Sequence, residues 1–116
     1  MDNNNKMQHL KSFQDRAAFA LCGYDAKRAN ACYASDGSVM VTVDLHYLNK
    51  ADAGKIIRNM IAINRDKFQL RIIHGYNHGT VLKDYIMKEN FGHRVTDKAV
   101  SPWDKGVSLM KIDALV

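Results

Sequence analysis

Two segments govern what this chain can fold into: VMVTVDLHYLNKADAGKII, Val39–Ile57, and FQLRIIHGYNHGTVLKDYI, Phe68–Ile86. Each opens with apolar and β-branched residues at the two-residue step of a strand. Each then breaks at a polar turn carrying a histidine and resumes with the three- and four-residue spacing of an amphipathic helix. A strand, helix and second strand in succession close through a right-handed crossover, which makes the two strands parallel. His46 and His74 therefore sit at the same kind of strand end, where ligand crevices open in α/β sheets.

The rest of the chain fills out the pattern. Asn49 is placed to cap a helix from Lys50, with Asp52 in its first turn and Ala53, Ile56, Ile57, Met60 and Ile61 as its buried stripe. A second helix runs from Val81 to about Glu89, with Thr80 as its cap, Val81, Leu82, Tyr85 and Ile86 facing inward, and Asn90 and Gly92 ending it. Arg94–Val100 reads as a third strand, SPWDKG as a turn and Val107–Ile112 as a fourth strand. Upstream, Met7, Leu10, Phe13, Ala17 and Leu21 mark a helix over about Lys6–Cys22 that Gly23 can stop. A shorter Ala-rich stretch, Asp25–Ala34, reads as helical, and SDGS, Ser35–Ser38, reads as a turn. The expectation is an α/β fold: a two-layer β-α-β-α-β-β sandwich with a mixed four-stranded sheet over residues 39–116, preceded by a helical N-terminal extension, residues 1–38.

At 116 residues the chain has the size of one domain with one core. No apolar run approaches the ~18–20 residues of a membrane span, and MDNNNKMQHLK lacks the apolar region of a secretory signal. Cys22 and Cys32 match no zinc spacing. They read as two small buried thiols suited to a reducing, cytoplasmic setting. Lys plus Arg at 17 against Asp plus Glu at 12 gives a net charge of +5, compatible with a polyanionic partner.

The chemistry gathers at the two turns. A strand's period of two puts Asp44 and His46 on one face, where the carboxylate can orient the imidazole for proton transfer. In HGYNHG, Gly75 and Gly79 allow positive φ or close backbone approach to a ligand. The following helix N-terminus offers N–H groups to an anion, and Lys83, one turn in, adds charge. His74 and His78 are four apart, but glycines surround them in a loop, which argues against a metal pair. Tyr47, Tyr76 and Trp103 offer faces for base stacking if they are exposed. Lys55, Arg58, Arg65, Arg71 and Arg94 read as solvated surface.

Taken in order, these segments resemble the small MutS-related (Smr) domain family, with its LDLHG strand end, alanine-bearing helix, and second strand ending in HGxG or TGxG. VDLHYLNKADAGKII is similar to the first motif, LRIIHGYNHGTVLKDYI to the second, and SPWDKGVSLMKI to the closing turn and strand. The resemblance covers about Val39–Ile112 and implies a fold like the C-terminal domain of bacterial translation initiation factor 3. It also implies a nucleic-acid partner, DNA or RNA, and either an endonuclease or a non-catalytic module for branched or single-stranded strands. Carried over by motif, Asp44, His46 and His74 would be the catalytic groups. Gly75, Tyr76, Asn77, His78, Gly79, Thr80 and Lys83 would bind phosphate or nucleic acid. Tyr47 and Asn77 depart from the family's glycines, and one residue is added before Gly79. On chemistry, RNA brings its own 2′-OH nucleophile, whereas DNA needs a water, usually activated by Mg²⁺ on several carboxylates. The matched motifs hold one carboxylate, Asp44.

Overall fold

A computed structural model of the chain describes residues 3–76 and 79–116. Among them, the order is α1 (Asn3–Ala20), β1 (Ala29–Tyr33), β2 (Val39–Asp44), α2 (Lys50–Ile63), β3 (Phe68–Ile73), α3 (Val81–Lys88), β4 (Val95–Val100) and β5 (Val107–Ile112). The alternation in β2 and β3 decides the layering. Val39, Val41, Val43, Phe68, Leu70 and Ile72 are buried, whereas Met40, Thr42, Gln69 and Arg71 are only partly covered. The buried set joins Phe13 and Ala17 of α1, Ile57 and Met60 of α2 and Ile86 of α3 in one core. The helices thus cover one face of a single mixed sheet, a two-layer α/β arrangement.

The strands lie in the order β1-β2-β3-β5-β4. β2 and β3 are parallel, as their connection through α2 requires, with Asp44 opposite Ile73. The other neighbours pair antiparallel.

The sheet has five strands where four are expected, and the difference lies in Asp25–Ala34. This stretch is not a helix. The Asp25 carboxylate accepts the Lys27 N–H at 2.9 Å and closes one 3-10 turn, Ala26–Arg28. The chain then extends as β1, with Ala31 opposite Val41. Alanine's helix preference is worth less than the ladder bonds offered by the free edge of β2. The SDGS turn returns the chain through Ala34 N–H to Ser38 O, 2.8 Å, with Gly37 at φ +86°. Residues 3–38 are therefore helix and strand together, and both pack into the common core. The Phe13 and Phe68 rings lie 6.0 Å apart. The outer edge of β1 is met by a side chain: Gln14 of α1 donates to Ala29 O at 2.8 Å and accepts from Ala31 N–H at 2.7 Å.

In α2, Asn49 accepts the Asp52 N–H at 2.8 Å, and Ala53, Ile56, Ile57, Met60 and Ile61 are all buried, as the sequence pattern requires. Its far end is closed by Arg94, which is buried and not part of a solvated surface. Its guanidinium donates to the carbonyls of Ile61, Asn64 and Asp113 at 2.6, 2.7 and 2.8 Å. A helix C-terminus carries unpaired carbonyls and a negative dipole end, and a guanidinium fork answers both. In α3, Leu82 and Ile86 are buried but Val81 is exposed, contrary to its expected inward position. Cys22 is exposed and Cys32 partly so; both are free thiols, and neither is the fully buried side chain expected. Among the described residues no helix is long and apolar enough to cross a membrane.

Candidate active site at the ends of the parallel strands

The parallel register sets the site. Pairing continues past the strands, with Leu45 N–H donating to Ile73 O at 2.8 Å. Leu45 is fully buried, and it anchors a tight turn closed by Leu48 N–H to Leu45 O, 3.1 Å. His46 and Tyr47 are its central residues. Tyr47 takes the left-handed conformation, φ +68°, at the position where the resembled family has glycine. Asp44 turns back onto this loop: its Oδ1 accepts from His46 N–H at 3.1 Å and stands in close contact with His46 Nδ1. Since a carboxylate only accepts, the contact places a proton on Nδ1 and leaves Nε2 with its lone pair. Nε2 has no hydrogen-bond partner among the described residues, and the two side chains are 38% and 32% exposed, open to a ligand.

The second turn lies directly beneath. Gly75 has φ +74°, and a Cβ placed on it would lie 3.5 Å from the His46 Cβ. His46 and Gly75 therefore share one wall of a cleft of about 570 Å³, which Asp44, Tyr47, Lys50, His74, Tyr76 and Gly79 also line. Lys50 was not singled out by sequence; its position immediately after the Asn49 cap, at the mouth of the same turn, is the signal that marks it.

His74 is in this wall, with both ring nitrogens engaged. It is 5% exposed. Its Nδ1 lies 2.8 Å from Gly75 O and its Nε2 2.8 Å from Ser108 Oγ. The carbonyl must accept, so Nδ1 carries the proton and Nε2 takes the Ser108 O–H. Burial pushes the His74 imidazole below the usual histidine range, with the Lys83 charge acting the same way against the Gly75 carbonyl and Asp104. His74 thus ties the end of β3 to Ser108 of β5.

The remaining expected residues divide. Tyr76 and Gly79 line the cleft. Thr80 is the N-cap residue of α3, its carbonyl accepting Asp84 N–H at 2.8 Å, but its hydroxyl makes no capping bond and donates instead to Asp84 Oδ2 at 2.8 Å. Lys83 stands outside the lining, though its charge is felt at His74. Asn77 and His78 lie outside the described residues. For Mg²⁺ the donor set does not fit: Asp44 is the one carboxylate among the described lining residues, and it is already engaged by His46, whereas Mg²⁺ needs an oxygen-rich octahedral shell. No cluster of three or more His, Cys, Asp or Glu suited to a metal occurs among the described residues.

No family model matches the chain, and neither a curated protein nor a solved structure matches it.

Proposed function

We propose that this chain is an Smr-like nucleic-acid-binding protein that cleaves RNA at the cleft between the β2 and β3 ends. The observation that carries the reading is the Asp44–His46 pair: an imidazole oriented through Nδ1, with Nε2 unpartnered among the described residues, at the mouth of a crevice. His46 Nε2 takes the proton of the 2′-OH, and the 2′-oxygen attacks the adjacent phosphorus. The 5′-oxygen leaves with a proton from solvent, giving a cyclic phosphate and a 5′-hydroxyl end. Asp44 balances the imidazolium formed, as a carboxylate behind a general base does. Lys50 supplies positive charge on the same wall, and Gly75 lets the backbone approach the phosphate. The succession β2-α2-β3-α3-β4-β5 supports the likeness to the C-terminal domain of translation initiation factor 3.

A second reading, a binding module without turnover for branched or single-stranded strands, is favoured by one observation. Both nitrogens of His74 are occupied, which leaves a single imidazole for proton transfer. Labelled RNA and DNA incubated with wild type and His46→Ala, each with and without EDTA, separate the two. The cleavage reading expects RNA products that resist EDTA and fall at least about 100-fold in the variant, with affinity within a few-fold. Binding that persists in both proteins with no product from either RNA or DNA establishes the module instead.

A further inference from the structure

The cleavage chemistry assigns no step to the aromatic side chains around the cleft, of which Tyr47 already has its ring 4.4 Å from that of His46. Tyr47 and Tyr76, 74% and 51% exposed, line it from the two turns that build it. Trp103, 93% exposed, projects from the β4–β5 turn. That turn is fastened to the cleft. The Gly106 carbonyl accepts from both His74 N–H and Gly75 N–H, at 2.9 and 3.0 Å, and a Cβ on Gly106 would come within 3.3 Å of the Gly75 Cα and of the Tyr76 ring. The turn is also set internally: Asp104 accepts Gly106 N–H at 2.8 Å, and Ser101 Oγ accepts Trp103 N–H at 3.3 Å.

An indole held almost wholly in water by a fixed turn gains nothing for the core. On a turn bonded to the cleft wall it offers a flat face to a ligand ring. Lys50 on the cleft wall, Lys105 on the Trp103 turn and the overall +5 charge suit a polyanion. Resting on the function proposed above, we infer that Tyr47, Tyr76 and Trp103 form a stacking rim for the unpaired bases of single-stranded RNA whose phosphate enters the cleft. Bases in a duplex bury their faces against one another, so this rim selects single strands without reading sequence.

Trp103 is the chain's one tryptophan, so its emission reports directly. The full chain is titrated with an oligoadenylate of about 12 nucleotides, single-stranded or annealed to its complement, while RNA anisotropy is followed in parallel. The expected result is saturable quenching by the single strand and tighter binding than to the duplex. Trp103→Ala should lower single-strand affinity about tenfold, leave duplex affinity within about twofold, and be largely rescued by Trp103→Phe. If anisotropy shows binding while emission is unmoved, or Trp103→Ala binds like wild type, the rim is refuted and the cleft reading stands. If the wild type binds no RNA of either form, both fall together.

Discussion

The His74 imidazole is held between the Gly75 carbonyl and the Ser108 hydroxyl, so the fold selects its neutral form. The sign of the pH effect follows. The unfolded chain protonates this group near its ordinary value of about 6.5, while the folded chain resists until lower pH. The unfolded state therefore binds more protons in that window. Stability present above about pH 6.5 is lost as the pH falls through the depressed folded value. Urea unfolding at pH 7.5 and 5.5 should show a smaller loss on acidification for His74→Gln than for wild type; equal losses would remove His74 from the account. The Asp44–His46 pair was legible because its members stand two apart in sequence, although β2 ends at Asp44 and the tight turn after it, not strand alternation, brings them together. The role of His74 was not legible, because its partner Ser108 is 34 residues away and only the sheet order brings them together.

At the scale of elements, α2 was read from its pattern almost residue for residue, since its cap and stripe are local and its burial follows them. Arg94 was misread because nothing near it in sequence announces that its side chain will end a helix thirty residues away. Replacing it tests how much that closure holds. Arg94→Met removes the donors and leaves the Ile61, Asn64 and Asp113 carbonyls without their partner; a cost of about 3 kcal/mol or more is expected. Arg94→Lys should recover only a part, because an ammonium lacks the planar fork that reaches several acceptors. Thermal unfolding of both variants decides this, and a shift within error of wild type would contradict it. β1 was missed for a related reason. Its alanines carry a helical preference, and what overrules it is the open edge of a strand that the chain makes only later.

For the molecule as a whole, residues 3–38 pack as part of the same fold as the rest. Phe13, Ala17 and Leu21 of the α1 region and Ala29 of β1 are buried in the core that also holds β2 and α2. A chain beginning at Ser38 should lose cooperative unfolding and expose apolar surface, seen as a broadened thermal transition and dye binding. A sharp transition like that of the full chain would instead make the N-terminal region an accessory. Both borders of the sheet carry a device that limits growth. β4 has an irregular register between Val95 and Asp97 and exposes Asp97 along its length, while Lys98 turns onto the Ile86 carbonyl of α3. At the opposite border, the Gln14 amide presents one acceptor and one donor to the backbone of Ala29 and Ala31, which is what a sixth strand would have presented. Gln14→Leu should thus convert a closed border into a sticky one, with chains adding edge to edge as concentration rises, visible by light scattering. At that border the backbone of Ala29 and Ala31 is already answered by one side-chain amide.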